Sequence, residues 1–586
     1  MNGNRRTGVA FAAGAGVAVA LIAPLAVMGF DTKEDGDYGI NALSMADGVD
    51  GWEVDPIHTV GQGYPADDPT YTPPGVLDGL GAYQLDDSSV RVLANHELNH
   101  NVGSAYDVNG QSGMLTGARV SYFDINVETR HIVGSGQAYD TIYDVNGGTP
   151  TDNTFLGRGA VDDPFGMPSN IQNEGLGRLC SAGLFEPEQF GGGRGLEDRI
   201  FFSGEEDGGI FNTVGGMGWA LDVENDELWP LPWLGRGAWE NVTVLDSGDP
   251  DTVAILLAVD SSPFDADGFP TDPGTSPEED DEAAPLYLYI GEKDPDGNFV
   301  QRNGLEGGSL YVWVADNGAT TPVDFNTSGK LKGEWVMVDN RPDTEQKSPN
   351  GSTGYDINGF PTQRNLWLQA EAEGAFGFSR PEDVATNPRD GREAVLASTG
   401  VDSFVGGVDT FGTMYTIKTD FKKLTADLTI IYDGDADPER SLRSPDNLDW
   451  ADDGFIYVQE DEAEEDTVDG EPLFGAGAAN PNEAGIVRMN QQGNQLSRIA
   501  NVNRGVALDA SLENPTLAFD GDFGAAGEWE TSGILDVSTL FGEAPGSLCL
   551  CDVQAHGLED QKDVHGDSRI ADDDLVEGGQ RACLER

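Results

Sequence analysis

The chain has 586 residues, of which 38% are hydrophobic, so it is long enough to bury a substantial core. It carries 103 acidic and 33 basic residues, a formal net charge of −70. Nucleic acid and anionic lipid surfaces bind basic proteins, so this charge argues against both as partners. It favours divalent cations instead, and an acidic surface is typical of halophilic proteins, because salt screens self-repulsion.

The N-terminus is typical of a targeting segment. Arg5 and Arg6 precede an apolar run over residues 9–28. We predict that residues 1–30 are an export signal or, if they are not cleaved, an N-terminal membrane anchor. The protein is therefore expected to be secreted or extracytoplasmic, in the periplasm or at the cell surface, and a membrane is a partner only in the uncleaved case.

Short apolar runs separated by Gly, Pro, Asp and Asn predict strands along the rest of the chain. In chain order they include residues 90–94, 199–203, 253–259, 286–290, 309–314, 393–397, 455–459 and 486–489. Many short strands predict an all-β sandwich, barrel or propeller. The length favours one β-propeller domain over residues 31–586, six-bladed and with loop insertions, although no repeat period is visible.

The four cysteines allow three full pairings. An exported location permits disulfides, and a bond from Cys583 to Cys549 or Cys551 would close a loop of about 30 residues. Cys180 lies far from the others in sequence, and we expect it to be free and available as a ligand.

Several motifs could bind metal. His96-Glu97-Leu98-Asn99-His100 matches the HExxH zinc pattern, which requires a helix, whereas it follows a predicted strand here; the alternative is a polar turn. Asp/Asn/Gly loops that could bind calcium, or could be hairpin turns, begin at Asp107, Asp265, Asp294, Asp356 and Asp433.

Five blocks place polar groups near predicted strand ends, where a propeller gathers its functional loops. They lie at residues 95–97, 178–184, 203–206, 378–383 and 444–448. An Arg close to a Glu offers one group to a phosphate and one to a metal. From the residues alone, each of these blocks would more often be a surface turn or a structural ion pair.

Taken in order, these blocks resemble the PhoX alkaline phosphatase family, patchily from about residue 85 to about residue 560. The matching segments are RLCSAGL at 178–184, GEE at 204–206, RPED at 380–383, SPDNL at 444–448, ETSG at 530–533 and DVQAHG at 552–557. The resemblance implies an exported six-bladed propeller that hydrolyses phosphomonoesters with a cluster of ferric iron and calcium ions.

The resemblance also implies roles for individual residues. Cys180 would be the thiolate ligand to iron, the Glu205–Glu206 pair would supply a metal-binding carboxylate, and Glu382 would be another metal ligand. Arg380 would clamp the substrate phosphate. Further candidate site residues, without an assigned role, are Glu97, Asp446 and Asn447.

The chain departs from the family pattern at Gly183, where an acidic residue is expected, at Trp239, where His often stands, and in QAHG at 554–557. Altered or absent phosphatase activity is therefore an open alternative. The alternative function is a non-catalytic, calcium-stabilised propeller at the cell surface, in adhesion or scaffolding. A zinc protease and other propeller hydrolases are the remaining alternatives.

Overall fold

The computed structural model describes residues 44–61, 64, 71–156, 173–208, 212–261, 263, 283–325, 329–401, 409–461, 472–508, 519–520, 527–559 and 575–586. The predicted export segment, residues 1–30, lies outside this range. Among the described residues, no helix has both the length and the apolar character that crossing a bilayer requires. The fold is all-β with few helices, as predicted, and each of the strand segments named above lies wholly or mostly within an observed strand.

The first strands, in chain order, are β1 (Ala46–Gly48), β2 (Glu53–Thr59), β3 (Leu77–Asp86), β4 (Ser89–His96), β5 (Tyr106–Val108), β6 (Gln111–Leu115), β7 (Arg119–Asn126), β8 (Ile132–Gln137), β9 (Thr141–Ile142), β10 (Leu179–Phe185), β11 (Ile200–Glu205), β12 (Gly216–Asp222), β13 (Glu227–Pro230), β14 (Arg236–Gly237), β15 (Trp239–Leu245), β16 (Thr252–Val259), β17 (Ala283–Pro285) and β18 (Tyr287–Glu292).

The strands that follow are β19 (Ser309–Ala315), β20 (Lys330–Val338), β21 (Gly377–Ser379), β22 (Pro381–Thr386), β23 (Glu393–Ser398), β24 (Thr413–Asp420), β25 (Thr425–Asp433), β26 (Pro445–Trp450), β27 (Phe455–Glu460), β28 (Gly485–Asn490), β29 (Leu496–Val502), β30 (Phe519–Asp520), β31 (Trp529–Asp536), β32 (Leu548–Ala555), β33 (Leu558–Glu559) and β34 (Gly578–Glu585). The α-helices of the described residues are α1 (Phe299–Arg302) and α2 (Gln363–Glu373).

Four separate sheets are arranged like propeller blades. Their strand orders are β3-β4-β7-β8, β10-β11-β12-β13-β9, β1-β29-β28-β27-β26 and β2-β34-β32-β31. The largest sheet has nine strands in the order β15-β16-β18-β19-β20-β25-β24-β23-β22. The N-terminal strands β1 and β2 thus complete two sheets built mainly from the C-terminal part of the chain, so backbone hydrogen bonds join the two ends of the fold.

Six strands contact one another at the centre of the molecule, one from each of the four separate sheets and two, β15 and β22, from the nine-stranded sheet. β3 contacts β10 and β31, β10 contacts β15, β15 contacts β22, and β26 contacts both β22 and β31. These contacts close a ring of inner strands, and this ring carries the candidate site.

Both faces of the sheets are covered, which explains the continuous apolar runs. In β16 alternate side chains enter two different clusters, because successive residues of a strand point to opposite faces. One set is Val253, Ile255 and Leu257, and the other is Ala254, Leu256 and Ala258. Apolar layers therefore cover both faces of β16, the strand that pairs directly with the inner strand β15.

All four cysteines are free, so the disulfide at Cys583 that the loop length permitted is not formed. Cys583 pairs across the sheet with Leu550, and Cys551 pairs with Ala582. Residues that pair directly share a face, so Cys583 lies on the opposite face of the sheet from Cys549 and Cys551. The loop-length argument failed because it ignored the strand register, which sends the thiols into separate clusters.

Candidate metal centre

The inner strands share a β-bulge that aims polar side chains at one region. In β10, Leu179 pairs with Glu205 and Ala182 pairs with Ser203, so Cys180 and Ser181 together face one partner residue. Four other inner strands repeat this arrangement, with the bulged pairs Asp78–Gly79, Glu240–Asn241, Glu382–Asp383 and Asp446–Asn447. A bulge re-aims a side chain and interrupts regular pairing, and bulges are common beside active sites.

The chain enters four of these bulges through a residue in the left-handed region. Val76, Arg178, Arg380 and Ser444 have φ values of 50°, 44°, 50° and 40°, and each lies two positions before the first bulged residue. This conformation is costly for a non-glycine residue, most of all for a β-branched one such as Val76. Such strain persists where the surrounding structure enforces it, and it clusters at functional sites.

The neighbouring strand adds a second acidic position in most of these sheets. The residue just before each bulge pairs with a residue at the end of the adjacent strand, and the next residue along that adjacent strand is acidic in four of the five cases. The five residues are Glu97, Glu206, Asp260, Asp461 and, as the exception, Thr399. Each of these strand pairs except β22–β23, where Thr399 stands, therefore presents two acidic or thiol groups at the same end, one from the bulge and one from the adjacent strand.

These side chains converge into four overlapping groups, within each of which one ligand atom per residue lies within 4.8 Å of the others. We call the set the acidic cluster. Its groups are Asp78–Glu97–Cys180, Cys180–Glu206–Glu240, Glu240–Glu382–Asp446 and Asp446–Asp461–Glu530. Because Cys180, Glu240 and Asp446 each belong to two groups, the cluster is one continuous row of candidate metal ligands.

The cluster is strongly unfavourable as a set of unscreened negative charges. Burial, reinforced by neighbouring carboxylates, raises the pKa of five of its acids well above the usual range; these are Asp78, Glu240, Glu382, Asp446 and Glu530. Burial also raises the pKa of Glu206, to about 8, although Arg178 opposes that shift. The cluster therefore requires protons or cations to balance its charge.

Two arginines lie against the cluster. Arg178 forms an ion pair with Glu97 at 2.9 Å and a second, closer one with Glu206. Arg380 Nε lies 2.8 Å from Asp260 Oδ1, and its Nη2 lies 3.1 Å from Glu382 Oε1. Burial would raise the pKa of Asp260, but the Arg380 guanidinium lowers it. Asp260 therefore holds Arg380 in place as an anion.

The donor set fits hard cations together with one softer metal. Carboxylate oxygens suit calcium, and a thiolate beside carboxylates suits iron better than calcium. Asp78 Oδ1 is buried and has no hydrogen-bond partner, which is costly for a carboxylate oxygen unless a cation satisfies it. These residues therefore fit the calcium and iron that the family resemblance implies.

The second residue of each bulge lies outside the groups of the acidic cluster, and where it has a side chain, that side chain ties the inner strands together. Asn447 Oδ1 accepts hydrogen bonds from Ser532 Oγ at 2.8 Å and from Gly533 N at 2.9 Å. Gly79 has no side chain because the backbone of Ser181 and Ala182 lies where a Cβ would be, the nearest atom being only 2.3 Å away. These second bulge residues form a supporting layer, which holds together the strands that carry the cluster.

The structure brings together most of the residues predicted from sequence. Cys180, Glu206, Glu382, Glu97 and Asp446 are members of the acidic cluster, and Arg380 borders it. Two candidates lie elsewhere. Glu205 accepts hydrogen bonds from the backbone N–H groups of Gly177 and Met217, and Asn447 belongs to the supporting layer. In the predicted Glu205–Glu206 pair, only Glu206 joins the cluster.

Sequence reasoning missed Asp78, Glu240, Asp461 and Glu530 as site residues. A signal was available, because the five bulges share the pattern apolar–(Asp, Glu or Cys)–polar or Gly–apolar, in LDGL, LCSA, WENV, PEDV and PDNL. The copies are spaced irregularly, so a search for a fixed repeat period does not find them.

The other sequence motifs have structural explanations. His96 ends β4, no helix follows it in residues 97–105, and its ring nitrogens contact Gly75 O at 3.0 Å and Ser121 Oγ at 2.6 Å. The helix that a zinc site requires is therefore not formed. The loop at Asp107 is a hairpin turn with Asn109 at φ 56°, and Asp356 pairs with buried Arg236. The loop at Asp265 lies outside the described residues.

Two of the three departures from the family pattern, Gly183 and Trp239, are not cluster ligands. Trp239 is buried and packs edge-on against Tyr287, with ring centroids 5.9 Å apart. Gly183 follows the bulge in β10, and a Cβ there would lie 2.8 Å from the Phe185 ring. Both positions therefore shape the strands that carry the cluster without belonging to it.

Comparison with known proteins agrees with this picture. The family model "Alkaline phosphatase PhoX" matches residues 277–506, a segment that contains Arg380, Glu382, Asp446 and Asp461. The chain is similar in structure to Pseudomonas fluorescens PhoX in complex with vanadate, a transition state analogue, with 13% identity, a TM-score of 0.56 and coverage of 93% of this chain and 97% of that chain. The resemblance to the PhoX family is thereby confirmed.

A second solved structure, the holo form of the pyranose dehydrogenase PQQ domain from Coprinopsis cinerea, matches with 10% identity and a TM-score of 0.29, covering 93% of this chain and 98% of that chain. No curated protein sequence matches the chain.

Proposed function

We propose that this chain, which resembles the PhoX family in its segment 277–506 and in its fold, is a metal-dependent phosphomonoesterase that uses calcium and iron. The observation that carries the proposal is the row of buried carboxylates and one thiol beside Arg380. A merely structural calcium site needs neither a buried thiol nor an arginine held at its edge. The alternative, a non-catalytic calcium-stabilised surface propeller, explains the carboxylates alone.

The residues have complementary roles in this proposal. The cluster would hold the metals, with Cys180 as the iron ligand and the carboxylates shared between iron and calcium. When bound, the metals neutralise the phosphate and stabilise the charge that develops on the attacking and leaving oxygens.

Arg380 would orient the substrate. A guanidinium presents N–H donors in a rigid fork that matches a phosphate, and Asp260 and Glu382 fix that fork beside the cluster. Since the chain carries a net charge of −70, the positive charge that attracts a phosphate ester must be local. Arg380, Arg178 and the bound cations supply it.

We further propose that the nine-stranded sheet comprises two blades joined through β20. The inner strands β15 and β22 lie at its two ends, and each contacts the next strand of the central ring. Together with the four separate sheets, this gives the six blades predicted from chain length. An experimental structure with the metals bound would test the count directly.

The location of the protein remains part of the proposal. A secreted or periplasmic enzyme would meet phosphate esters and calcium outside the cytoplasm, and residues 1–30 would direct its export. N-terminal sequencing of the protein from its exporting host would distinguish a cleaved signal from a retained anchor.

The test of function combines elemental analysis with an assay of p-nitrophenyl phosphate hydrolysis, with calcium and after chelation. We expect iron and calcium to copurify and turnover to require calcium. Calcium without turnover would support the non-catalytic alternative. Turnover that persists after exhaustive chelation would contradict the metal-dependent mechanism.

A further inference from the structure

We propose that Asp383 is a positioning residue that sets the spacing of the metal ligands by linking the strands that carry them. The inference rests on the proposed metal-dependent function. Asp383 is 2% exposed and is the second residue of the β22 bulge, directly after Glu382. Asp383 does not belong to any of the four groups of the acidic cluster.

The Asp383 carboxylate links strands on different sides of the ring. Its Oδ2 accepts hydrogen bonds from Ser181 Oγ at 3.0 Å and from Leu448 N at 2.8 Å, and its Oδ1 accepts one from Asn241 Nδ2. These donors lie on β10, β26 and β15. A single carboxylate on β22 therefore connects this strand to three other inner strands.

Each of these contacts lies one or two residues from a ligand. Ser181 follows Cys180, Asn241 follows Glu240, and Leu448 comes two residues after Asp446. Cys180, Glu240 and Asp446 are the residues shared between neighbouring metal groups. Asp383 thus binds a residue close to every shared ligand, through the side chains of Ser181 and Asn241 and the backbone of Leu448, and Glu382 is attached to it covalently.

The hydrogen-bond pattern requires a carboxylate. All three partners of Asp383 donate, and the orientation of the Asn241 amide is set because its Oδ1 accepts a hydrogen bond from Val242 N at 2.6 Å. An asparagine at position 383 would match the shape but would turn one acceptor into a donor facing another donor. Groups that support metal ligands in this way typically affect metal affinity by about 10–100-fold when they are changed.

The test is metal binding by Asp383→Asn, with Asp449→Asn as the matched control. Asp449 lies on β26, accepts a hydrogen bond from Asp536 N at 2.8 Å, and is outside the cluster. Each metal-free protein is titrated with Ca²⁺ by calorimetry and with Co²⁺ by absorbance, because a thiolate-to-Co²⁺ band reports ligation by Cys180. Thermal unfolding without metal verifies the fold.

We expect D383N to bind both metals about 10–100-fold more weakly and to shift or lose the Co²⁺–thiolate band, with D449N unchanged. Wild-type affinities and an unchanged band in folded D383N would overturn the inference while leaving the proposed function intact. If the wild-type chain binds neither metal, the proposed function fails, and this inference fails with it.

A second variant decides the case if D383N does not fold. Ser181→Ala removes only the contact beside Cys180 and leaves Asp383 its two other donors. We expect S181A to weaken Co²⁺ binding and perturb the thiolate band more than it changes Ca²⁺ binding. An S181A protein with the wild-type Co²⁺ affinity and band would overturn the proposal.

Discussion

The Sγ atom of Cys180 donates a hydrogen bond to Oε2 of Glu206 at 3.3 Å, and both side chains are buried. Burial, together with the nearby carboxylates of Glu240 and Glu97, raises the pKa of the Cys180 thiol well above its usual range. The thiol therefore stays protonated in the metal-free protein. Only a bound cation would convert it to the thiolate, so metal binding and proton release are coupled at this position.

This coupling predicts that Cys180→Ser will weaken metal binding more than a change in a supporting residue does. We expect the Co²⁺–thiolate band to disappear and the affinity to fall by more than the roughly 10–100-fold typical of outer partners. Cys583→Ser is the control, because Cys583 is equally buried but packs in an apolar cluster. A normal thiolate band in C180S would show that another cysteine binds the metal.

A second prediction concerns Arg380, which Asp260 and Glu382 hold beside the cluster. If Arg380 orients the phosphate, Arg380→Ala should lower kcat/KM for p-nitrophenyl phosphate by about 10²–10³-fold, as loss of a positioned charge-stabilising donor does. Arg380→Lys should recover only part of the loss, since lysine keeps the charge without the fork.

The matched control is Arg392→Ala, which removes an exposed arginine paired with Asp390, away from the cluster. Its turnover should equal that of the wild type. Unchanged kcat/KM in folded R380A would exclude Arg380 as the phosphate clamp.

The all-β class and the strand positions could be predicted from sequence because short apolar runs and the turn residues between them are local properties. Most cluster residues were also predictable, since the blocks around Cys180, Glu206 and Glu382 are short and specific. Glu205 is a case in which the local sequence does not determine whether a side chain faces the cluster. Adjacent carboxylates point to opposite faces of a strand, and only the pairing of β10 with β11 determines that Glu206 faces the cluster while Glu205 binds backbone amides.

Glu240 was missed for a related reason. Its block drew attention to Trp239, and the four-residue pattern that it shares with the other bulges does not by itself give the strand pairing that turns Glu240 inward. The disulfide question stayed open in the sequence because sequence separation does not specify the face on which a cysteine lies. In each case the missing information was register, which depends on pairing between distant segments.

The register of β32 and β34 predicts that the protein contains no disulfide. Titration of the unfolded chain with a thiol reagent should give four thiols, the same number before and after reduction. Reductant should also leave the thermal midpoint unchanged. A count that rises on reduction would mean that Cys583 has reached another cysteine, which requires a different register in this sheet.

The acidic cluster predicts an unusual dependence of stability on pH in the metal-free protein. Burial raises the pKa of Glu206 from 4.5 to about 8, and it raises the pKa of Asp78 and Glu240 well above the usual range. The folded chain therefore retains protons that the unfolded chain has released. Their stabilising contribution is fully present below the unfolded-state values, and it is lost as the pH rises through the folded-state values.

Thermal unfolding in the presence of a chelator should accordingly show a midpoint that falls as the pH rises from about 5 to about 8. Each unit of pKa difference corresponds to about 1.4 kcal/mol, so we expect a loss on the order of a few kcal/mol. Asp390, whose pKa is lowered to about 2, titrates below this window. Burial lowers the pKa of His96 from 6.5 to about 3, which offsets the loss only below about pH 6.5, so the fall in the midpoint is steepest above that pH.

Saturating calcium should remove most of this dependence, because a cation replaces the protons and stabilises the folded state by mass action. The comparison needs constant, high ionic strength, since the net charge of −70 adds a general repulsion that salt screens. A metal-free protein that becomes more stable toward pH 8 would contradict the burial of the cluster carboxylates. A pH dependence that calcium leaves unchanged would indicate that the cation binds elsewhere.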